Sequence, residues 1–474
     1  MNFLHIIIAV CLLAIWILSL IYSMKMFQQN SYKPRRYLNW AKGQVFRNIF
    51  RFGGKVKFVM TPRMWRLAVT ATVIVIALGC WHIWLMIPAI VFTDLTMLLA
   101  NAIDTPVNNA ISNWYINNAR KKLAAHDKLV IIGVTGSYGK TSTKNYLYRM
   151  LSEKYNTLIT PGNFNTTMGV VRTIREQLKP YHQVFIVEMG AKQVGDIKEI
   201  CDLVHPVIGI VTSVGKMHLE TFKTVENIQS TKFELIRALP SDGLGVINMD
   251  SEGISSYRNI PSNCKLVKYA VKSGAVDYRA ENVTCNASGT DFDVNGVHIH
   301  TPLVGDCNIL NILASMAVAD RLGISKGQQQ MAASKLRQVE HRLSVSRKGG
   351  MTILDDAYNS NPDGARMALD VLKNLELPQG AKRIVVTPGF VELGASQESE
   401  DRLLGKEIAA VADILIIVNR YNRDSILAGA KEGGMSEDSI VCADNLNAAV
   451  AVLSQLASAG DAILYENDLP DTFK

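Results

Sequence analysis

Apolar positions along this chain fall into two regimes. Up to about residue 105 they form long uninterrupted runs, and from residue 129 onward they come as short β-branched blocks separated by amphipathic stretches. Phe3 to Tyr22 is an apolar run without Asp, Glu, Lys or Arg, which as a helix is long enough to cross a bilayer core of about 30 Å. No basic residue precedes it and the basic residues follow it, so it reads as a retained span and not as a cleaved signal peptide. Leu67 to Ile103 is a second apolar region, broken near its middle by Cys80-Trp81-His82-Ile83-Trp84 and Pro88. It fits two short tilted spans, near Leu67 to Leu85 and Pro88 to Ala102, and equally a hairpin that dips into the membrane. Asp94 favours the hairpin, since a carboxylate is costly in lipid.

From Leu129 the short blocks read as strands: Leu129 to Val134, Val184 to Glu188, Val207 to Thr212, Gly245 to Asn248, Met351 to Leu354, Arg383 to Pro388, Ile414 to Val418 and Ala462 to Tyr465. Their alternation with helical stretches predicts α/β architecture with a parallel sheet. Lys265 to Leu303 alternates apolar and polar residues and reads as a small antiparallel insert, and Asn108 to Lys128 as a polar helical linker. The expected organisation is a membrane region at 1–105, a linker at 106–128, a central domain at 129–338 and a C-terminal domain at 339–474.

Charge changes this picture in one place. The formal charge is +8, yet residues 24–66 hold eleven Lys or Arg and no Asp or Glu, leaving −3 for the rest. The later domains therefore show no basic field of the kind nucleic acid requires. The basic stretch itself predicts that 24–66 stays on the cytoplasmic side with the amino terminus outside. Its interleaved aromatics (Tyr32, Tyr37, Trp40, Phe46, Phe50, Phe52, Phe58) suit either a surface-lying amphipathic helix or a site for anionic lipid head groups. Seven cysteines occur without a C-x-x-C pair, which speaks against a structural zinc site or a disulfide framework.

The densest chemical signal is Val130-Ile131-Ile132-Gly133-Val134-Thr135-Gly136-Ser137-Tyr138-Gly139-Lys140-Thr141-Ser142. A buried strand runs into a glycine turn, and a helix is expected over Thr143 to Leu151. The backbone amides from Gly136 to Lys140, the helix N-terminus and the Lys140 ammonium together suit a phosphate, with the Thr141 hydroxyl placed for Mg²⁺. The strict G-x-x-x-x-G-K-[ST] pattern is not met, because Val134 stands where its first glycine belongs. Glu188 and His218 each lie at or just beyond the carboxyl end of a predicted strand, where a doubly wound sheet collects its ligand crevice. They are candidate metal ligands near Mg-ATP; alone, each reads as readily as a capping carboxylate or a surface histidine.

Thr135-Gly-x-x-Gly-Lys-Thr141, Gly162-Asn163-Phe164-Asn165-Thr166-Thr167-Met168-Gly169, Glu188-Met189-Gly190-Ala191, His218-Leu219-Glu220, Asn248-Met249-Asp250, Gly305-Asp306-Cys307-Asn308-Ile309-Leu310-Asn311 and Asp355-Asp356-Ala357-Tyr358-Asn359-Ser360-Asn361-Pro362 occur in this order. In that order they resemble the Mur ligases, and within them the MurF branch, over about residues 129–465. The resemblance implies a central P-loop ATPase domain followed by a Rossmann-like C-terminal domain. It implies ATP held by Thr135, Gly136, Ser137, Tyr138, Gly139, Lys140, Thr141 and Ser142, with Asn308 and Asn311 facing the adenine and Arg342 and Asp356 meeting the nucleotide from the last domain. Two Mg²⁺ ions would be bound by Thr141, Glu188, His218 and a carbamylated Lys232. Lys140, Lys232, His218 and Glu188 would carry the chemistry, and Asn163, Asn165, Thr166, Thr167, Tyr358, Asn359 and Asn361 would meet substrate.

The implied reaction is activation of a carboxylate as an acyl phosphate and its capture by an amine, in cell-wall or envelope precursor synthesis. The carboxylate is a small molecule or lipid-linked, the co-substrate an amine or amino acid, and the location the inner face of the cytoplasmic membrane, with no nucleic acid. Three features depart from the branch: membrane segments stand where its UDP-sugar-holding domain lies, Cys307 stands for its histidine, and Tyr465-Glu466-Asn467-Asp468 is acidic where Lys-Gly-Ser-Arg is usual. A poly-γ-glutamate synthase-like ligase and a non-catalytic membrane-tethered nucleotide-binding scaffold are the alternatives.

Overall fold

The structure, a computed structural model, describes residues 3–30, 32–42, 58–286, 289–358 and 360–468. The central part of the basic stretch, with Phe46, Phe50 and Phe52, and Asn359 of the C-terminal motif lie outside the described residues. The chain divides into two compact units, one holding residues 1–115 and the other 116–468.

The first unit is helical: α1 (Phe3–Gln29), α2 (Pro34–Ala41), α3 (Pro62–Trp81), α4 (Met86–Val91) and the start of α5 (Thr93–Ala124). His5–Gln29 and Pro62–Trp81 are long and apolar enough to cross a membrane. Ile83–Val91 and Thr93–Ala124 pass the same test only as a pair bent by 94°, a broken span or a re-entrant loop. Polar side chains in these apolar helices find one another, as low-dielectric surroundings demand. The Ser23 hydroxyl donates to Asp94 at 2.6 Å, Tyr37 donates to the same carboxylate, and Thr70 donates to Asp104 at 2.8 Å.

The second unit begins its sheet with β1 (Val130–Thr135), followed by α6 (Lys140–Leu151), β2 (Thr157–Ile159), α7 (Thr167–Gln177), β3 (Val184–Glu188), α8 (Asp196–Val204), β4 (Ile208–Val211), α9 (Leu219–Phe222), α10 (Val225–Arg237), β5 (Leu244–Asn248), α11 (Glu252–Ser255), β6 (Lys265–Ala270) and β7 (Tyr278–Arg279). The strands pair in the order β2-β3-β1-β4-β5-β6-β7, every pair parallel. β1 is flanked by β3 on one side and β4 on the other, so the strand order runs outward to β2 on the first side and to β5 on the second. That reversal opens the crevice at the carboxyl end of β1. Next come the antiparallel strands β8 (Glu281–Asn286), β9 (Gly289–Val294) and β10 (Val297–Thr301), then α12 (Asp306–Arg321) and α13 (Lys326–Ser334). The insert expected over Lys265 to Leu303 is thus only partly antiparallel: Lys265–Ala270 joins the main parallel sheet beside β5. Its alternation reflects one solvated face near the sheet edge, with Lys265 and Lys268 exposed and Val267 buried.

The C-terminal half holds β11 (Ser344–Lys348), β12 (Met351–Asp356), α14 (Pro362–Asn374), β13 (Arg383–Thr387), α15 (Gln397–Ala409), β14 (Ile414–Val418), α16 (Arg423–Glu432), β15 (Ile440–Ala443), α17 (Leu446–Leu456) and β16 (Ala462–Glu466). The sheet order is β11-β12-β16-β13-β14-β15, parallel apart from the β11–β12 hairpin. Gly349 and Gly350, at φ 59° and 79°, make its two-residue turn, which needs positive φ at both positions. Ile384, Val386, Ile416 and Ile463 bury on one face of this sheet, and Val385, Leu415, Ile417 and Leu464 on the other.

Candidate functional site

The phosphate loop is pinned by the neighbouring strand end. Ser137 N donates to Ser213 O at 2.9 Å, Tyr138 N donates to Ser213 Oγ at 2.8 Å, and Thr212 Oγ1 donates to Tyr138 O at 2.5 Å. Gly136 must be glycine, because a Cβ there would stand 2.0 Å from Thr212 Oγ1. Gly139, at φ 78°, ends the loop, and α6 opens at once with Lys140, three residues earlier than the sequence pattern suggested. The free amides of this first turn face the loop end of β1, the arrangement that binds anions. Thr135 donates from its hydroxyl to Met189 O at 2.9 Å, fixing β1 to β3. Lys140 Nζ donates to Gly136 O at 2.7 Å and Ser137 O at 3.2 Å. Burial draws its ammonium down to about 8, with Glu188 opposing the shift and Arg342 adding to it.

Glu188 lies at the end of β3 with almost no exposure. Its Oε2 is 2.9 Å from Lys144 Nζ, and its Oε1 accepts from Asn165 Nδ2 at 3.1 Å. Burial by itself raises this carboxyl, but Lys144 and Lys140 more than offset it, and the group ends below the usual carboxylate range. Lys144 also donates to Thr160 O at 2.9 Å and Gly162 O at 2.7 Å, tying Glu188 to the loop that carries Asn163, Asn165, Thr166 and Thr167. Thr166 caps α7 through Gly169 N at 3.3 Å, and Asn361 caps α14 through Gly364 N at 3.1 Å.

Lys232, on α10, is buried, and its ammonium is drawn down to about 7, first by burial and then by Lys140. His218 stands just ahead of α9 in left-handed backbone, and its Nδ1 is bonded to Glu392 from the loop after β13. Burial lowers its pKa, and Glu392 opposes this only in part, which favours the neutral ring. From the C-terminal half, Arg342 stacks 3.9 Å over the Tyr358 ring, and Asn163 donates to the Tyr358 hydroxyl across the cleft. Asp356 accepts from Leu343 N at 2.9 Å; burial lifts it to about 6 against the pull of Arg342. Its register partner on β16 is Glu466, buried and raised well above its ordinary value, first by burial and then by Asp356. Asn308 accepts from the Tyr146 hydroxyl at 2.7 Å and Asn311 from Thr143 at 2.9 Å, so both asparagines join α12 to α6 beside the loop. A cavity of about 580 Å³ lies alongside, lined by Tyr146, Tyr148 and Arg149 and by residues 335–339.

The site thus sets Lys140, Lys144 and Arg342 around Glu188, with Lys232 within reach of Lys140. A polyanion fits this balance. Among the described residues no three His, Cys, Asp or Glu side chains converge on a metal position. Mg²⁺ does not need them, since it is commonly held by one or two carboxylates together with waters and substrate phosphates. Glu188 Oε2, buried with no hydrogen bond and only an ammonium beside it, fits that requirement.

Most of the candidates read from the sequence do gather in one cleft: the loop from Thr135 to Ser142, Glu188, Lys232, His218, Asn163, Asn165, Arg342, Asp356 and Tyr358. Two residues escaped the sequence reading. Lys144 was detectable, because four residues after Lys140 on α6 it shares that residue's face. Glu392 carried no local signal.

Two family models match the chain: the Mur ligase middle domain over residues 134–319 and the Mur ligase glutamate ligase domain over residues 341–465. The UDP-N-acetylmuramoyl-tripeptide--D-alanyl-D-alanine ligase of Synechocystis sp. is 30% identical over 339 residues, 71% of this chain and 71% of that protein. Its namesake from Escherichia coli is 28% identical over 309 residues, 64% of this chain and 67% of that protein. Among solved structures, MurF ligase from Thermotoga maritima in complex with ADP aligns with a TM-score of 0.66 at 25% identity, covering 75% of this chain and 80% of its own. MurF from Acinetobacter baumannii shares the fold with a TM-score of 0.67 at 24% identity, covering 75% and 77%.

Proposed function

The chain belongs to the Mur ligase family, and we propose that it works as a membrane-anchored member in which one cleft activates a carboxylate and delivers it to an amine. It is a MurF-like, ATP-dependent peptide ligase of cell-wall precursor synthesis. The observation that carries the mechanistic reading is the set of Lys140, Lys144 and Arg342 around Glu188, at the end of β3 beside the phosphate loop. Lys140 and the loop amides bind the triphosphate, and the cavity beside Tyr146 receives the base. Mg²⁺, as one ion or two, would be held by Thr141, Glu188, His218 and a carbamylated Lys232, and would supply neutralisation of phosphate charge there. The substrate carboxylate attacks the γ-phosphorus and ADP leaves. An acceptor amine then attacks the acyl carbon, phosphate departs, and an amide remains. Lys140 and Arg342 stabilise the charge that spreads over the moving phosphoryl group.

Membrane anchorage rests on the apolar helices His5–Gln29 and Pro62–Trp81, on the basic residues between them, and on the bent pair Ile83–Val91 and Thr93–Ala124 as the return crossing that puts the ligase domains back on the cytoplasmic face. One observation favours a second reading of the acceptor. Glu466 and Asp356 stand side by side at the ends of β16 and β12, and such a pair suits an amine or cation better than the free carboxylate of a dipeptide. The test is purified full-length protein in detergent with ATP, Mg²⁺, the UDP-linked tripeptide and an acceptor, either D-alanyl-D-alanine or an amine lacking the carboxylate. ADP release that requires both substrates supports the reading, and the acceptor that works decides between the two. ADP release indifferent to every acceptor refutes ligase activity.

A further inference from the structure

His218 and Glu392 meet from opposite halves of the second unit, one before α9 and the other in the loop after β13. Both hold positive φ, 54° and 63°, a conformation that side chains with a Cβ rarely keep unless their surroundings hold it. The contact has several points. Glu392 accepts from His218 Nδ1, and its backbone carbonyl accepts from Glu220 N at 3.0 Å. Lys216 Nζ reaches Glu400 Oε1 at 2.6 Å, and Lys192 Nζ stands 4.0 Å from Glu392 Oε1. Gly394 is so close that a Cβ there would lie 3.4 Å from Glu220 Cα. The segment 216–220 is therefore gripped along its length by 392–400. Both side chains of the central pair are largely buried, at 15% and 12% exposure. Among the described residues the imidazole bonds to no side chain of its own domain.

We infer that Glu392 is a positioning residue for His218, supplied by the C-terminal domain, so that the ring is aimed only when the two domains are closed on each other. An imidazole whose Nδ1–H is fixed by a carboxylate has its tautomer and its plane set, and presents Nε2 to whatever lies opposite. The pair makes closure and completion of the site one event. The domain that brings Arg342 and Tyr358 to the nucleotide also brings the group that orients His218. This inference rests on the ligase reading for the role of His218, but the latch itself does not depend on turnover.

The test uses full-length protein carrying one fluorophore on each domain, at exposed positions away from the cleft. Inter-domain energy transfer is followed on addition of Mg-ATP, and the Mg²⁺ concentration for half-maximal ADP formation is measured at fixed ATP. Glu392→Ala is expected to lose the closed population and to raise the Mg²⁺ half-saturation about tenfold, the lower end of what removing such an orienting partner costs. Glu392→Gln keeps an acceptor oxygen for Nδ1–H and is expected to recover most of both. An unchanged melting temperature in either variant excludes a folding defect. Glu392→Ala that closes like the parent overturns the latch, and closure lost with an unaltered Mg²⁺ dependence overturns the positioning role. Should the parent form no ADP with any acceptor, the ligase reading fails, while the energy-transfer arm still decides the latch.

Discussion

Replacing Lys144 by methionine keeps most of the side chain's volume and removes its charge. In the structure that ammonium is 2.9 Å from Glu188 and donates to two carbonyls, and both members of the ion pair are about 1% exposed. Deleting one partner of a buried pair leaves the other uncompensated, at a cost of about 3–5 kcal/mol. For a domain of this size, where 1 kcal/mol shifts the midpoint by roughly 2–4 °C, the expected fall is about 6–20 °C. The pH dependence has a definite sign. In the parent Glu188 titrates below its ordinary value, so it contributes stability above the unfolded value of about 4.3 that is lost as pH falls. Without Lys144 its carboxyl rises, and the gap between variant and parent should be widest at neutral pH and narrow toward pH 4. Thermal unfolding of full-length protein at pH 7.5 and 4.5, followed by far-UV circular dichroism because the ligase domains hold no tryptophan, reads both effects. The double variant Lys144→Met with Glu188→Gln removes the stranded charge and should regain much of the stability without regaining activity. A single variant that melts within about 2 °C of the parent at pH 7.5 refutes the account, because a buried pair of this kind cannot be so cheap to break.

Four other outcomes are expected. Lys140→Ala abolishes ATP turnover while membrane insertion is unchanged, because a charge is lost from a preformed loop; parent-rate hydrolysis with substrates present refutes the loop's role. In intact cells an impermeant thiol reagent labels a cysteine placed at position 2 but none placed at 45 or 300, and labelling at either of those reverses the topology. Lys232→Ala loses most activity and regains part of it with formate or acetate at high concentration, while full activity without an added anion makes this lysine structural only. Because Lys232 titrates near 7 when folded and at about 10.5 when unfolded, it makes stability rise with pH across that window, and Lys232→Met should flatten the rise.

What could be read from the sequence follows from where each signal is local. The strands β1, β3, β4, β5, β13, β14 and β16 are covered on both faces, so each shows as an unbroken apolar run. Thr157–Ile159 and Ile440–Ala443 are short strands at sheet edges: the first is only three residues long, and the four apolar residues of the second, of which only Ala443 is buried, are too few to stand out. The phosphate loop was legible because strand, glycines, lysine and helix follow within thirteen residues. Lys144 was passed over because a lysine on a helix ordinarily points to water, and only the fold buries this one against Glu188. Glu392 is 174 residues from His218, and no pattern in one sequence connects the two.

The same contacts explain why the site is divided between two domains. Lys140 presses on Lys232, Arg342 presses on Lys140, and burial draws all three down, while Glu188 already answers to Lys144. Such a cleft opposes its own folding, and that conflict marks a functional site. A triphosphate brings the missing negative charge and removes the repulsion between Lys140 and Arg342, which come from different domains. Nucleotide binding therefore favours the closed arrangement electrostatically before any latch is made. Glu392 then adds a contact to His218 that only the closed arrangement offers. On the inferred latch, closure driven by the charge of the nucleotide and completed by a carboxylate of the opposite domain would keep the site unassembled until its phosphate donor has arrived, so that geometry would limit wasteful hydrolysis.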